Sequence, residues 1–209
     1  MHRIVWGRAT SSNVMKVLWG LGELNLPFER IDVGGSFGKT DTPEYRGMNP
    51  TGLVPTLQEE EFTLWESNVI LRYLCHQHAP HSLLWPQEPR ERANIDRWMD
   101  AQQTQLNRPM AAVFWGLVRT PADKRDPAAI RQGVADAAKA WGLISTGLTR
   151  HAYIAGDAFT LADIPWGVHA HRWFNMDFDR PEVAGLRAWY DRLCERPAYQ
   201  QAVVSCPIV

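Results

Sequence analysis

Asn49-Pro50-Thr51-Gly52-Leu53-Val54-Pro55-Thr56-Leu57 is followed, after an acidic turn, by Leu64-Trp65-Glu66-Ser67-Asn68-Val69-Ile70. Two prolines and a glycine flank a short apolar segment, which reads as a strand entered through Pro55. Gln58 to Thr63 forms the acidic turn of a hairpin, and Leu64-Trp65 resumes the strand. Glu66-Ser67 then opens a helix carrying Val69, Ile70, Tyr73 and Leu74.

Upstream, residues 2–6 (HRIVW) are a short apolar run ending at Gly7. Thr10-Ser11-Ser12-Asn13 is a cluster of N-cap residue types, and Val14, Val17, Leu18 and Leu21 follow at helical spacing. Pro27 to Val33 alternates like a second strand, and Gly34 to Gly38 reads as a flexible loop. This strand–helix–strand opening predicts a parallel pair.

Downstream the strand signals vanish. Pro80, Pro86 and Pro89 punctuate a linker. Arg90 to about Leu117 is a long helical stretch. Ile130, Val134, Ala137, Trp141, Ile144 and Leu148 form the clearest amphipathic stripe of the chain. Further helices are expected within 153–175 and 181–204. The division predicted is a small α/β domain over 1–78, a linker over 79–90 and an all-helical domain over 91–209.

Composition narrows the function. Lys+Arg is 22 against Asp+Glu 23, and no basic stretch reaches five residues, so no nucleic-acid surface is expected. Three scattered cysteines supply neither a disulfide framework nor a zinc site. No apolar run is long enough to predict a membrane helix, and residues 1–13 lack a signal-peptide core; a cytoplasmic setting is the expectation. Ten tryptophans in 209 residues predict an aromatic helical core, an apolar cleft, or both.

Three polar features stand in order within the first 80 residues. A helix starting at Thr10-Ser11-Ser12-Asn13 offers N–H groups, partial positive charge and hydroxyls, which favour a thiolate; plain capping needs only one of them. A cis Val54-Pro55 bond would present the Val54 N–H and C=O to a peptide-like ligand; a trans proline would merely start a strand. Ser67 and the amides of its helix suit a carboxylate and Glu66 suits an ammonium, although a cap with a first-turn acid reads the same way.

Together, the loop Asn49-Pro50-x-Gly52-x-Val54-Pro55, the run Glu66-Ser67-Asn68-Val69-Ile70 and the Ser12–Lys16 spacing resemble the cytosolic glutathione transferase superfamily, over essentially the whole chain. The resemblance implies a thioredoxin-like N-terminal domain, an all-α C-terminal domain, glutathione as co-substrate, no metal, and a homodimer. It implies detoxifying transfer of the glutathione sulfur to a small, largely apolar electrophile. Ser12, Ser11 or Asn13 would meet the sulfur, with Ser12 favoured. Val54 beside Pro55 would pair with the cysteinyl part, Glu66 and Ser67 would hold the γ-glutamyl group, and Lys39 would reach the glycine carboxylate. Thr104 aligns with a residue that reaches the neighbouring subunit's glutathione in some relatives.

The electrophile pocket would fall on Asn107, Arg108 and Trp115, within an apolar wall that includes Met110, Phe114 and Leu117; Trp98 and Trp173 are weaker cleft candidates. An N-terminal catalytic Tyr or Cys is missing, which points to theta-like or nu-like serine/asparagine types. Disulfide reduction or peroxidase activity and a non-enzymatic binding module are the alternatives. Thr160-Leu161-Ala162-Asp163, after Phe159, reads as a structural capping box. His76, His78 and His81 read as a solvated helix end, His169 and His171 as non-ligands, and Cys75 as a small buried hydrophobe.

Overall fold

The computed structural model describes residues 2–209, which pack as two units. The first unit runs to Ser82 and also takes in Pro197–Cys206; the second holds Leu83–Arg196 and Pro207–Val209.

In the first unit the described residues form one four-stranded sheet in the order β2-β1-β3-β4. β1 (Arg3–Trp6) lies parallel to β2 (Glu29–Ile31) and antiparallel to β3 (Thr56–Glu59), which pairs antiparallel with β4 (Phe62–Trp65). Val5 and Leu57 are partners across β1 and β3, and both are fully buried. Helices α1 (Ser12–Glu23) and α3 (Ser67–His78) pack together, burying Val14, Val17 and Leu21 from one and Ile70, Leu71 and Leu74 from the other. This is the expected thioredoxin-like arrangement, with the hairpin entered at Pro55.

Three features were not anticipated. The acidic turn is only Glu60-Glu61; Glu59 ends β3 and is 3% exposed. Its carboxylate accepts from Arg3 Nε at 2.7 Å, Tyr73 Oη at 2.6 Å and His78 Nε2 at 3.1 Å, tying β1 and β3 to the end of α3. His78 therefore belongs to a buried network and not to a solvated helix end. Second, Pro43–Met48 forms a short helix, α2, with Thr42 as N-cap and Pro43 leading. Third, α9 (Pro197–Tyr199) and the wide helical turn Gln200–Val204 belong to the first unit, not to the helical half. Tyr199 is fully buried with its ring 4.5 Å from that of Trp19, and Gly22 leaves room for Ala198.

The second unit is helical. Its first stretch is α4 (Pro89–Ala101), a wide turn Gln102–Leu106, α5 (Asn107–Phe114) and a second wide turn Trp115–Arg119. α6 (Pro127–Leu148) is capped by Asp126, which accepts from Ala128 N and Ala129 N, and buries Val134, Ala137, Trp141, Ile144 and Leu148. α7 (Asp163–Asn175) and α8 (Leu186–Cys194) follow. Trp141 lies 5.6 Å from Trp166 and 6.1 Å from Trp173, ring to ring, so Trp173 is core and not cleft. Asp163, fully buried, accepts from Thr160 N, Ile154 N and Trp189 Nε1 at 2.9–3.0 Å. The box is structural as read, although Thr160 Oγ1 accepts from Ala162 N and α7 starts only at Asp163. No described helix is long and apolar enough to cross a membrane.

Candidate functional site

The site in the first unit is set by Gly7, at the end of β1. A β-carbon there would lie 2.4 Å from a Val14 methyl and 3.3 Å from Val54 Cβ. Only glycine lets the chain pass this closely between the start of α1 and the Val54 loop.

Ser11 is the N-cap of α1, and its carbonyl accepts from Met15 N at 2.8 Å. Its hydroxyl does not make the capping bond. Among the described residues neither the Ser11 nor the Ser12 hydroxyl enters a hydrogen bond, so capping does not account for them. Asn13 Oδ1 accepts from Ser67 Oγ at 3.4 Å, which joins the N-termini of α1 and α3. Ser67 is 5% exposed.

Glu66, just before α3, holds φ +73°, a left-handed conformation uncommon for a side chain of its kind. Its side chain is exposed and makes no capping bond. Lys16, on α1, is fully buried. Burial pushes its amine down from 10.5 to about 7, and the Glu66 charge acts in the opposite direction. Glu66 thus sits within electrostatic reach of an ammonium placed inside the unit.

The Val54-Pro55 bond is cis. The loop is anchored from below: the Leu53 carbonyl accepts from Tyr45 Oη at 2.7 Å and Asn49 Nδ2 at 2.9 Å, and both groups also reach Thr56 Oγ1. Burial pushes the Tyr45 phenol up, so it stays a neutral donor. α2, unread in the sequence, therefore serves to fix the Val54 loop.

Lys39 is exposed at φ +69° and lines a cavity of about 480 Å3 with Trp6, Tyr45 and Met48. Ser11, Ser12, Val54 and Ser67 are not among the residues lining that cavity, although a β-carbon at Gly34 would meet both a Val54 methyl at 3.2 Å and the methyl of Thr40, next to Lys39, at 3.5 Å. Sequence reading passed over Arg8. β-carbons at Gly34 and Gly35 would lie 3.0–3.1 Å from its guanidinium, and the one at Gly34 also 3.2 Å from a Val54 methyl. The glycine pair, taken for a flexible loop, is a tight seat for an arginine beside Val54.

In the second unit, Thr104 is exposed and donates to Asp100 O at 2.9 Å. Asn107 is half-buried, Arg108 exposed, and Trp115 63% exposed. Met110 and Phe114 are core residues, so the expected apolar wall reduces to Trp115 and the half-buried Leu117. Cys75 is buried and its thiol is pushed up to about 12 by burial. Among the described residues no group of His, Cys, Asp and Glu could hold a metal ion.

Two helix N-termini with hydroxyls, an acid and a peptide edge converge in one unit. Such a set suits a short anionic peptide with a free amino group and a thiol. The family model described as the glutathione S-transferase N-terminal domain matches residues 10–77. The glutathione S-transferase GstB of Escherichia coli K12 is 38% identical over 96% of this chain and 97% of its own length. A theta class glutathione S-transferase of the citrus canker pathogen Xanthomonas axonopodis pv. citri, solved with glutathione bound, superposes with a TM-score of 0.94 at 44% identity over 99% of both chains. Glutathione transferase F2 of Populus trichocarpa gives 0.87 at 28% identity over 96% of both chains. With these whole-length likenesses added to the Val54-Pro55 and Glu66-Ser67 geometry, the chain belongs to the glutathione transferase family.

Proposed function

We propose that this chain joins the sulfur of glutathione to an electrophilic carbon of a small molecule, as a homodimer in a reducing, cytoplasmic setting and in a detoxifying role. The observation that carries the reading is the junction of α1 and α3 at Asn13 and Ser67, which sets two helix N-termini beside the Val54 loop.

The γ-glutamyl carboxylate takes Ser67 Oγ and the α3 amides, and the ammonium takes Glu66. The cysteinyl backbone pairs with Val54. The sulfur then lies at the start of α1, where the Ser12 hydroxyl and the helix field favour thiolate over thiol. The thiol proton leaves to solvent. The thiolate attacks the electrophile, a C–S bond forms, and the leaving group departs with its electron pair. The protein contributes position and charge stabilisation.

Phe62 and Trp65 on β4 and Val69 on α3 are exposed on neighbouring elements, apolar surface suited to a second copy. The three described cysteines are free, which suits a reducing compartment.

The test is the ultraviolet thiolate absorbance of bound glutathione at neutral pH. Wild type is expected to show it and Ser12→Ala to lose most of it; an undiminished signal removes Ser12 from the role. Calorimetry with glutathione separates an enzyme from a module that binds nothing. Conjugation and disulfide reduction, assayed in parallel, separate transferase from reductase.

A further inference from the structure

The apolar stripe of α6 runs past the core at its first residue. Val134, Ala137, Trp141, Ile144 and Leu148 are buried, whereas Ile130, one turn earlier, is only half-covered. Opposite it, the wide turn Trp115–Arg119 comes so close that a β-carbon at Gly116 would lie 2.7 Å from Ile130 Cγ1. Beyond this contact the elements part. A cavity of about 710 Å3 opens between the wide turn, the N-terminal turns of α6 and the chain that follows α7. Its apolar wall is Leu117, Pro127, Ile130, Val134, Phe178 and Pro181, all within the second unit.

A cavity of that size suits a small organic molecule. Its wall is held in place. Phe178 stands edge-on to Trp173, with ring centres 5.2 Å apart, and the guanidinium carbon of Arg180 lies 4.9 Å from the Phe178 ring centre. Arg180 is fixed in turn by the carbonyls of Trp173 and Met176. Pro127 and Pro181 add two stiff backbone positions. Walls fixed in advance lose little freedom when a ligand binds.

Three charged side chains also line the cavity, Arg125, Arg131 and Asp179. Arg125 donates through Nε to Thr120 O at 3.2 Å and through Nη2 to Leu117 O, so neutral acceptors hold its guanidinium still. Among the described residues none of the three makes an ion pair. The acid beside Arg125 in the chain, Asp126, is committed to capping α6 through Ala128 N and Ala129 N. Arg131 and Ala135 stand four residues apart on one ridge of α6, and the small Ala135 leaves room beside the guanidinium. Two cations against one acid give the cavity a net positive charge.

We infer that this cavity binds an amphipathic monoanion, its apolar body on Ile130, Val134 and Phe178 and its carboxylate or sulfonate on Arg131, with the fixed charge of Arg125 adding to the attraction. The planar guanidinium of Arg131 matches such an anion in two-point geometry. Asp179 disfavours a second negative group. The inference goes beyond the transferase reading: no residue of this cavity belongs to the set proposed to hold glutathione, and binding involves no chemical step.

The experiment is calorimetry with 2-naphthoate and 2-naphthamide, which share a ring system and differ in charge. Wild type is expected to bind the naphthoate about tenfold more tightly than the amide, with the difference shrinking as salt rises. Arg131→Gln is expected to weaken naphthoate binding about tenfold and to change amide binding by less than about twofold. Ala135→Trp fills the cavity from an exposed helix position and is expected to abolish binding of both compounds. Arg131 is exposed and makes no bond within the described chain, so its variant keeps the test independent of folding. Equal affinity of wild type for the two compounds, no naphthoate binding, or naphthoate binding indifferent to either variant overturns the inference.

Discussion

Replacing Lys16 by Met probes the least expected group in the first unit. Lys16 is fully buried, and its amine falls from 10.5 to about 7, chiefly through loss of water, with Glu66 opposing. That fall corresponds to roughly 5 kcal/mol disfavouring the charged form on folding, at about 1.4 kcal/mol for each tenfold change in proton affinity. The sign follows from proton counting. Between pH 7 and 10.5 the unfolded chain holds a proton at Lys16 that the folded chain has released. Stability therefore rises with pH in that window, by about 1.4 kcal/mol per pH unit. Below pH 7 both states are protonated and the full penalty stands. Lys16→Met removes the penalty at every pH, offset by what Glu66 loses with its counter-charge. The variant is thus expected to be the more stable protein near pH 6, by up to ~5 kcal/mol, with the gap closing toward pH 10. Urea unfolding followed by tryptophan fluorescence at pH 6, 7.5 and 9, at one protein concentration, measures it. Subtracting wild type from variant cancels the titration of Tyr73 and Cys75, both pushed up to about 12. A gap that stays constant or widens as pH rises would refute the reasoning. At pH 6, where Lys16 is charged, the same variant is expected to raise the KM for glutathione, because the Glu66 carboxylate loses the positive charge it interacts with.

Other outcomes follow from single residues. Gly7→Ala drives a methyl into Val14 and Val54 and is expected to cost about 2–4 kcal/mol of stability and most glutathione affinity, read by thermal unfolding and calorimetry. Asp163→Ala strands the N–H groups of Ile154, Thr160 and Trp189, each worth about 1–3 kcal/mol, so soluble expression is expected to collapse. Burial raises Glu59, but hydrogen bonds from Tyr73, His78 and Arg3, together with the Arg3 charge, outweigh it and hold the carboxyl below its usual value. Its contribution is present at neutral pH and lost as pH falls through the acid range. Glu59→Gln should therefore flatten the acid limb of the stability–pH curve.

The fold was legible wherever a periodicity met a punctuating residue. The stripe from Val134 to Leu148 buried as spaced, because a helix that long shows several turns of one face. The hairpin at Pro55 was readable for the same reason, since proline and the Glu66-Ser67 cap bracket it. α2 was not, because six residues give no full repeat; Thr42-Pro43 was its one visible signal, a cap followed by a first-turn proline. Glu59 looked like a turn acid because charge is normally solvated; its partners Arg3, Tyr73 and His78 lie 56, 14 and 19 residues away. The return of residues 197–206 to the first unit is likewise a long-range event, fixed by Tyr199 finding Trp19.

The site divides along the same line, and the division explains what one sequence can disclose about an enzyme. Ser12, Val54, Glu66 and Ser67, proposed to hold glutathione, were readable because they stand at backbone ends: a helix N-terminus or a proline turn leaves a local mark in the chain. Arg8 left none. Its place depends on Gly34 and Gly35, more than twenty residues on, whose missing side chains make its seat. The cavity wall of Leu117, Ile130 and Phe178 left none either, because its three parts meet only once the helices pack. The local set is the one proposed above to hold glutathione. Contacts between residues far apart in the chain exist only once the fold has formed, so they are what a single sequence hides.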